Sequence, residues 1–397
     1  MKNRKRVLFV HYGDNWIRGS EQCLLDLVTH LNRAQYTPYV WTNCEALHHR
    51  MQNDAVHSEY SPFTLLLGWK APRFSVLGWY RLVKQGIDYI KRAQIDIIHV
   101  NSGAPCQWMS LAARITKTPM VTQLHSDYPM RDRLTLGLHF SPHIIAVSKA
   151  ITEHLRRDGY KRDRLSVIHN GIDVDRLKHF SAVDLNEKLG IADDAYVFIT
   201  VGSLIHRKGI DRILSAIRHL ALEYPNTHLL VIGEGPQRHS LELNADELHI
   251  NNHVHFVGEQ TNVQGWLHAS NAFVSGARNE AFGLVIIEAA LAELPIVAPR
   301  VGGIPEIIRH KQTGLLYENS SIKPLVEAMR AVMKHPYPAR ALGVRAKQNV
   351  LARHTIQHNA RAIEFVYEQL LEAQNLPEFS WLAAFRPVKT YITKHFA

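Results

Sequence analysis

The sequence is poor in cysteine and lacks any long apolar run, and both absences narrow the class of protein. Its 397 residues include only three cysteines, Cys23, Cys44 and Cys106, without a histidine cluster at ligand spacing. They provide neither a disulfide framework nor a zinc site, so we expect a reducing compartment. The first apolar run ends at Val10, and nowhere do about 18 apolar residues follow one another, so we expect neither a signal peptide nor a membrane span. We infer a cytoplasmic protein.

The charge of the chain is unevenly distributed. The formal net charge is +10; residues 1–185 carry 25 Lys and Arg against 16 Asp and Glu, whereas residues 186–397 carry 21 against 20. A one-sided positive field attracts anionic partners such as phosphates, acidic glycans, anionic lipid or nucleic acid. A basic surface that merely keeps the chain in solution explains the same excess, so the charge alone does not choose between them.

The order of apolar runs predicts two α/β domains. Hydrophobic residues make up 46% and charged residues 21% of 397 residues, a globular balance in a chain too long for one average core. Short runs such as "RVLFVHY", "DIIHVNS" and "HIIAVS" alternate with helical patterns, and a second series starts at "YVFITVGS". We therefore expect a doubly wound parallel sheet in each half.

The domain borders are expected where this alternation stops. The polar stretch "GIDVDRLKHFSAVDLNEKLG" predicts a join, with a first domain over 1–185 and a second over 186–372. A helical C-terminal segment, 373–397, is expected to pack back toward the first domain. Because ligands of open α/β sheets bind at the carboxyl ends of the strands, two facing sheets predict a cleft between the domains as the place for chemistry.

Two strand-to-helix turns in the second half are candidate phosphate sites. In "VGSLIHRKGIDRIL", Arg207 and Lys208 precede a helix, where cations and free amides together suit a diphosphate. A solvated Arg-Lys pair is the competing interpretation. In "VIGEGPQ", Gly233 allows close backbone approach, either to a ligand or within a tight turn. The G-x-G-x-x-G spacing is missing, which argues against NAD.

Two acids bracket the apolar stretch in "EAFGLVIIEA". Glu280 precedes an expected helix, and Glu288 lies one turn into it, where both can face the same ligand. Ala281, Phe282 and Gly283 would form the loop and Leu284 the start of the helix, so the amides of residues 282–285 would be free donors. Exposed charges are the ordinary interpretation, but an idle buried Glu in "LVIIEAALAELPIVA" would be costly.

A histidine at the end of a strand is the third candidate. In "VTQLHSDYP", His125 follows a buried strand, which suits acid/base work or a hydrogen bond to a sugar hydroxyl; a satisfied structural histidine is the competing interpretation. Asp173 and Asp175 match the D-x-D spacing of divalent-ion sites, but nothing nearby adds ligands. We therefore expect no metal site.

The segment 65–84 mixes aromatic and basic side chains. They are Trp69, Phe74, Trp79 and Tyr80, with Lys70, Arg73, Arg81 and Lys84. Such a mixture is typical of a surface on anionic lipid, so a peripheral position on the inner face of the cytoplasmic membrane is one expectation. Nucleic-acid stacking and a partly buried cluster with snorkelling cations are the alternatives.

Together these motifs resemble the retaining glycosyltransferases of family 4, whose fold, called GT-B, has two Rossmann-like domains. The resemblance covers nearly the whole chain. It includes "RGSEQCLLDLVTHL", "TQLHSD", "IIAVSKAITEHL", "VIHNGIDVDRL", "VGSLIHRKGID", "VIGEGP", "TGLLY" and the E-x7-E element of "NEAFGLVIIEAALAELP", followed by "VGGIPEII".

The resemblance assigns roles to the candidate residues. It implies that Glu288 holds the ribose of a nucleotide sugar and that Glu280 contacts the transferred sugar, helped by the backbone of residues 281–284. Lys208, with Arg207, would hold the diphosphate and stabilise the departing group. The other matching positions are His125 near the sugar and acceptor, Gly19 in the loop approaching the donor phosphates, and Ser203 and Gly233 in the donor-binding turns.

Two positions depart from the family pattern. Ser203 stands where the family often has Arg, so Arg207 or another cation would share the phosphate. The paired glycines of the family are replaced by Arg18 and Gly19, which leaves one flexible position. Arg18 would either add a phosphate contact or narrow the loop.

The implied function is retaining transfer of a sugar from a nucleotide sugar to a hydroxyl of a glycan or lipid-linked acceptor, in cell-surface polysaccharide or lipopolysaccharide synthesis. We expect no cofactor, no metal and no nucleic-acid partner. A nucleotide-sugar isomerase or hydrolase on the same fold and a non-catalytic sugar-nucleotide-binding protein are the alternatives. The presence of Glu280, Lys208, His125 and Glu288 argues against the last of these.

Overall fold

The structure, a computed structural model, describes residues 4–69, 71–373, 382, 385–389 and 392. The chain forms two compact units: the first combines Met1–Gly171 with Ile356–Ala397, and the second is Ile172–Thr355. Lys70 and most of the expected helical segment 373–397 lie outside the described residues. Each unit is a parallel sheet with helices, which confirms the expected pair of Rossmann-like domains.

Seven parallel strands form the sheet of the first unit. They are β1 (Lys5–His11), β2 (Tyr36–Thr42), β3 (His57–Tyr60), β4 (Ile97–Val100), β5 (Met120–Leu124), β6 (His143–Ala146) and β7 (Leu165–Val167). Their order across the sheet is β3-β2-β1-β4-β5-β6-β7. From Val7 to Val10 every side chain of β1 is fully buried, as a strand covered on both faces requires.

Helices follow most of these strands. They are α1 (Gly19–His30), α2 (Glu45–Asn53), α3 (Val76–Arg92), α4 (Cys106–Thr116), α5 (Met130–Thr135) and α6 (Lys149–Arg157). Among the described residues of the chain, no helix is both long enough and apolar enough to cross a membrane.

Six parallel strands form the sheet of the second unit. They are β8 (Tyr196–Val201), β9 (Thr227–Ile232), β10 (Val254–Gly258), β11 (Ala272–Val274), β12 (Ile296–Pro299) and β13 (Leu315–Tyr317), in the order β10-β9-β8-β11-β12-β13. The helices are α7 (Val174–Lys178), α8 (Leu185–Leu189), α9 (Ile210–Glu223), α10 (Arg238–Glu247), α11 (Val263–His268), α12 (Leu284–Leu291), α13 (Ile304–Ile307), α14 (Lys323–Lys334) and α15 (Pro336–Arg353).

The last helix, α16 (Ile356–Glu372), belongs to the first unit although it follows the second in sequence. Its apolar face lies in the core of the first unit and consists of Ala360, Ile363, Val366 and Tyr367. A C-terminal helix therefore crosses back, although it precedes the segment 373–397 for which this was expected.

The borders between the units lie at 171/172 and 355/356, whereas the sequence predicted them at 185/186 and 372/373. Residues 172–185 belong to the second unit, and the return to the first unit begins at Ile356. The second unit closes on itself because Ile172 pairs with Thr355, and the amide of Ile172 donates to the carbonyl of His354 at 3.0 Å. The polar stretch that suggested a linker contains the short helices α7 and α8.

In both sheets the strand order reverses next to the first strand. After β1 the chain adds β2 and β3 on one side and β4 on the other; after β8 it adds β9 and β10 on one side and β11 on the other. Ligands of open α/β sheets bind at such a reversal, beyond the carboxyl ends of the two central strands. The fold therefore marks one ligand position in each unit.

A buried hydrogen bond fixes α16 to the sheet of the first unit. Nε2 of His99 lies 2.9 Å from Oε1 of Gln123, which can only accept, so His99 donates through this nitrogen. The other ring nitrogen, Nδ1, accepts from the hydroxyl of Tyr367 at 2.6 Å. Burial lowers the pKa of His99 to about 3, so the ring is neutral at pH 7, as this pattern requires.

Replacing Tyr367 with Phe should loosen α16. The variant leaves Nδ1 of the fully buried His99 without a donor, which costs about 1 to 3 kcal/mol. We expect the free energy of unfolding in urea to fall by that amount, with faster hydrogen exchange in α16. Tyr337→Phe is the control because Tyr337 is 87% exposed. Equal stability of the two variants would contradict the role of this bond.

Candidate active site

The turns after β8 and β11 touch through two glycines. β8 leads through a loop into the 3-10 turn His206–Lys208, and α9 begins directly after Gly209. Gly209 has φ +62°, and a Cβ on it would lie 2.1 Å from the carbonyl oxygen of Gly276. Glycine is needed for both reasons. The contact joins the two turns at the position where the strand order reverses.

Arg207 and Lys208 on the first turn both reach Glu280 on the second. Nζ of Lys208 donates to Oε2 of Glu280 at 2.6 Å, and Nη1 of Arg207 lies 3.5 Å from Oε1. Arg207 also donates to the carbonyl of Asn279 at 3.1 Å. The side chains of Lys208 and Glu280 are only 18% and 12% exposed, whereas that of Arg207 is 45% exposed. The site is thus a largely buried ion pair with a second cation facing solvent.

The charge of Glu280 is maintained by these cations. Burial acts to raise the pKa of its carboxyl, but the charge and hydrogen bond of Lys208, with help from Arg207, hold that pKa below its usual value. Glu280 is therefore ionised at neutral pH. An ionised carboxylate can accept hydrogen bonds from sugar hydroxyls and at the same time orient the lysine.

The backbone of Glu280 is fixed from the other side by the glycines of "VGGIPEII". The amide of Gly303 donates to the carbonyl oxygen of Glu280 at 2.9 Å. Gly302 has φ +52°, and a Cβ on it would lie 1.9 Å from the same oxygen. The position of Glu280 therefore depends on a residue without a side chain at 302.

Helix α12 begins at Leu284, as the sequence predicted, with Gly283 before it at φ +112°. Phe282 is buried and its ring lies 5.9 Å from that of His354. Glu288 is one turn into the helix and half-buried. The E-x7-E element thus places Glu280 just before the helix and Glu288 on its first turns, with Ala281 in the loop between them.

Arg278 is a site residue that the sequence analysis missed. Its guanidinium donates to both carboxylate oxygens of Asp211, at 2.8 and 2.6 Å, and to the carbonyl of His206 at 3.0 Å. Its amide donates to the carbonyl of Arg207 at 2.8 Å. A two-pronged arginine–carboxylate pair is a strong and directional contact, so Arg278 braces the turn that carries both cations.

Ser203 and Gly233 lie in neighbouring turns after β8 and β9. Gly233 has φ +129°, and a Cβ on it would lie 2.1 Å from the carbonyl oxygen of Gly202. The close approach that requires glycine at 233 is therefore a backbone contact between the turns. The stem of Lys208 passes Gly202, with its Cε 3.5 Å from where a Cβ would stand.

In the first unit, a buried polar network connects His125 with the start of α1. His11 ends β1, and its Nε2 lies 3.0 Å from Oε1 of Glu21. The amide nitrogen of Asn101 lies 3.1 Å from Nδ1 of His11 and donates to the carbonyl of Ser20 at 3.3 Å. Nε2 of His125 lies 3.0 Å from the amide oxygen of Asn101. The network lies where the order of this sheet reverses, beyond β1, β4 and β5.

His125 is a neutral ring with a defined tautomer. Burial lowers its pKa to about 4, and the nearby His11 adds to the shift. Because the amide oxygen of Asn101 can only accept, Nε2 of His125 carries the proton and Nδ1 is an acceptor. A ring of this pKa is a weak base at pH 7, so it suits a hydrogen bond to a hydroxyl better than full proton removal.

A cavity of about 400 Å³ opens beside this network in the first unit. His125, Trp16, Trp69 and Tyr128 lie on its walls. Gly19 is the first residue of α1, next to Ser20, which also lines the cavity. The structure thus groups Gly19 with His125 in one unit, and Arg207, Lys208 and Glu280 in the other.

The missed residues differ in how far the sequence could reveal them. Glu21 belongs to the quoted stretch "RGSEQCLLDLVTHL" and could have been singled out there. Asn101 and Arg278 have no local signal, because their partners lie on other strands and turns. The roles of the site residues themselves stay predictions.

Two known families match the chain. Residues 17–176 match the family described as "Glycosyltransferase Family 4", and residues 183–349 match the one described as "Glycosyl transferases group 1". An uncharacterized glycosyltransferase of Haemophilus influenzae is 30% identical over 267 residues, which cover 65% of this chain and 72% of that protein.

A second relative and a solved structure extend the comparison. The lipopolysaccharide core biosynthesis glycosyltransferase LpsD of Rhizobium meliloti is 30% identical over 193 residues, 49% of this chain and 54% of that protein. The crystal structure of HepE from Anabaena in complex with UDP-glucose superposes with a TM-score of 0.78 at 21% identity, covering 92% of this chain and 99% of that one. This last likeness is one of fold.

Gly302→Ala should displace Glu280. Gly190→Ala is the matched control. Gly190 also has a positive φ, +68°, but a Cβ there would lie in open space, whereas a Cβ on Gly302 would meet the carbonyl of Glu280. Both variants incur about 1 kcal/mol of left-handed strain. In Gly302→Ala the free energy of unfolding in urea should fall by about 2 kcal/mol more than in the control. Equal losses in the two variants would contradict the proposed contact.

Proposed function

Because the chain belongs to the family 4 glycosyltransferases, we propose that it moves a sugar from a nucleoside diphosphate donor to an acceptor hydroxyl with retention of anomeric configuration. The observation that carries this proposal is the ion pair of Lys208 with Glu280, 2.6 Å apart beyond the ends of β8 and β11. A cation and a carboxylate side by side suit the two halves of such a donor, its diphosphate and its hydroxyl-bearing sugar.

The diphosphate is assigned to Lys208 and Arg207. Both precede α9, whose N-terminus favours negative charge, and Arg207 is exposed enough to meet an incoming ligand. Lys208 is held by Glu280 before the donor arrives, so little reorganisation is needed when charge develops on the leaving group. We propose that these cations, and not a metal ion, balance that charge, and that Gly19, Ser203 and Gly233 line the approach to the donor.

The sugar and the ribose are assigned to the two acids. Glu280 would accept hydrogen bonds from the transferred sugar, with the loop Ala281–Gly283 and Leu284 supplying backbone donors. Glu288, one turn into α12, would accept from the ribose hydroxyls. This assignment fits the chemistry of the groups, because an ionised carboxylate only accepts hydrogen bonds and a sugar hydroxyl readily donates one.

The transfer step is then a substitution at the anomeric carbon. Its bond to the diphosphate oxygen breaks, and the electron pair leaves with the diphosphate. The acceptor oxygen forms the new bond from the same face, and its proton passes to the departing phosphate. His125, with Nδ1 as an acceptor, would hold a hydroxyl of the sugar or acceptor in place.

The biological setting is proposed from the relatives. LpsD is a lipopolysaccharide core glycosyltransferase, and we propose that this chain likewise acts in the cytoplasm on a glycan or lipid-linked acceptor for a cell-surface polysaccharide or lipopolysaccharide. The chain spans about half of LpsD, so the acceptor is part of the proposal.

A surface of the first unit suits attachment to anionic lipid. Phe74, Leu77 and Tyr80 are each about 60% exposed, and Arg73 and Arg81 beside them are exposed as well. The indole nitrogen of Trp79 donates inward to the carbonyl of Gln107 at 2.7 Å, which ties this surface to the unit. Exposed rings with cations at their edge are typical of membrane-surface contacts.

Lys208→Ala should slow turnover. Loss of one preorganised charge at the leaving group is expected to lower kcat by about 100-fold or more. The measurement is nucleotide release from a panel of nucleotide sugars with candidate acceptors, in EDTA, with the anomeric configuration of the product read by NMR. Lys323→Ala is the control, since its side chain is 83% exposed in the same unit.

The outcomes of this assay separate the alternatives. Native kinetics in the Lys208 variant remove Lys208 from the site, and loss of the native activity in EDTA rejects the metal-free proposal. If the donor is turned over and no acceptor increases the rate, the result would favour a nucleotide-sugar hydrolase or isomerase instead of a transferase.

Membrane attachment is testable separately. The double variant Arg73→Ala/Arg81→Ala should bind vesicles of 30% phosphatidylglycerol at least about tenfold more weakly, since each surface cation contributes about 1 kcal/mol. The native chain and Lys323→Ala should co-sediment equally with these vesicles and weakly with pure phosphatidylcholine. Indifference of the native chain to anionic lipid would reject this surface.

A further inference from the structure

The cavity beside His125 has walls that contrast with the positive charge of the first half of the chain. Among the described residues, its lining includes the carboxylates of Asp14 and Glu21 but no lysine or arginine. Residues 1–185 carry 25 Lys and Arg against 16 Asp and Glu, yet none of the cations that the structure describes among them lines this cavity. The described lining thus has acidic side chains without a described lysine or arginine, which is unfavourable for an anion.

Arg18, a described cation next to the cavity, is engaged by a wall residue. The guanidinium of Arg18 lies over the ring of Trp16, 4.4 Å from the ring centre. The backbone amide of the same residue donates to Oε2 of Glu21 at 3.2 Å. Arg18 thus covers one face of a wall residue, outside the lining of the cavity.

Aromatic rings supply the apolar part of the wall. Trp69 is 40% exposed, its ring centre lies 6.0 Å from that of Tyr12, and its indole nitrogen donates to Asp132 at 3.2 Å. This bond fixes the ring while leaving a large part of its surface at the cavity. A fixed, half-exposed indole is suited to contact with the C–H face of a pyranose, which is apolar although the ring edge carries hydroxyls.

Polar groups for the sugar edge lie on the same wall. His125 presents Nδ1 as an acceptor. Tyr128 receives a hydrogen bond from the amide of Gly103 at 2.8 Å, and burial raises the pKa of its phenol to about 12, so it keeps its own proton to donate. One acceptor and one donor beside an aromatic plane match the alternating roles of sugar hydroxyls.

The loop that carries Trp16 is already ordered. The amide of Gly13 donates to Oδ1 of Asn43 at 3.0 Å, and Nδ2 of Asn43 donates back to the carbonyl of Gly13 at 3.0 Å. The side chain of Asn15 accepts from the amide of Ala46 at 2.8 Å. Because these bonds fix the wall before a ligand enters, the wall selects a ligand by its own charge and shape, with little rearrangement on binding.

We propose that this cavity takes an uncharged pyranose as the acceptor, stacked on Trp69 with hydroxyls on His125 and Tyr128, and excludes acceptors that carry a phosphate or carboxylate on that sugar. The inference rests on the proposed function, because it names the acceptor class of the same reaction. The basic surface of the unit would then contact anionic groups around the acceptor, and the cavity would bind the sugar.

The test is saturation-transfer NMR on the full chain with methyl glycosides of glucose, galactose, mannose and N-acetylglucosamine, each compared with its uronic acid or 6-phosphate. We expect saturation to reach the C–H protons on one face of at least one uncharged glycoside. The charged counterpart of that glycoside should show no saturation. Trp69→Ala should weaken that binding by about tenfold, because it removes most of a buried aromatic contact. Trp69→Phe should restore most of it.

Three further variants sharpen the result. Ser126→Lys adds a cation to the wall and should admit the charged sugars. Arg18→Ala should leave the preference for uncharged sugars intact, and Tyr337→Ala, on the other unit, should leave binding unchanged. Equal or tighter binding of the uronic acids, native affinity in Trp69→Ala, or no binding across the panel would each overturn the inference.

Failure of this inference is distinguishable from failure of the proposed function. Transfer from a nucleotide sugar onto the charged glycosides would reject the acceptor class and leave the transferase standing. Binding of an uncharged glycoside through Trp69 in a chain that transfers no sugar from any donor would reject the transferase and leave the cavity assignment standing.

Discussion

The buried pair of Lys208 and Glu280 is the interaction on which the second unit's site depends. Lys208 and Glu280 are only 18% and 12% exposed, so removing one of them leaves the other largely desolvated and without its closest partner. The surrounding turns are constrained accordingly. Gly209 and Gly302 permit backbone contacts that any side chain would block, and Arg278 braces the turn that carries both cations. The pair keeps the carboxylate ionised and the lysine oriented before a ligand is present.

The first unit has a different set of polar groups at the corresponding point of its sheet. His11, Asn101 and His125 are linked by hydrogen bonds beyond the ends of β1, β4 and β5, and the low pKa of His125 keeps that ring uncharged. A hydrogen-bonded network of this kind, with the ionised Glu21 at one end, can fix the hydroxyls of a sugar. The two units therefore share a sheet topology but present different chemistry at the point where the strand order reverses.

Net charge and site charge are separate properties in this chain. The positive excess of residues 1–185 suggested an anionic partner, and the exposed cations Arg73 and Arg81 are placed for one. The cavity of the same unit is lined by Asp14 and Glu21 without a described cation. A summed charge describes the field at a distance, whereas binding in a cavity depends on the few groups that lose water there.

Local patterns in the sequence determined the parallel strands, the start of α12 at Leu284, the cations at 207 and 208, and the position of His125 at a strand end. These features depend on residues near each other in the chain. Only the tertiary structure decided that Lys208 reaches Glu280 across 72 residues, that Asn101 supports His125, and that α16 belongs to the first unit. Such contacts follow from strand order and from which turns lie side by side, and the spacing of apolar residues does not encode either of these.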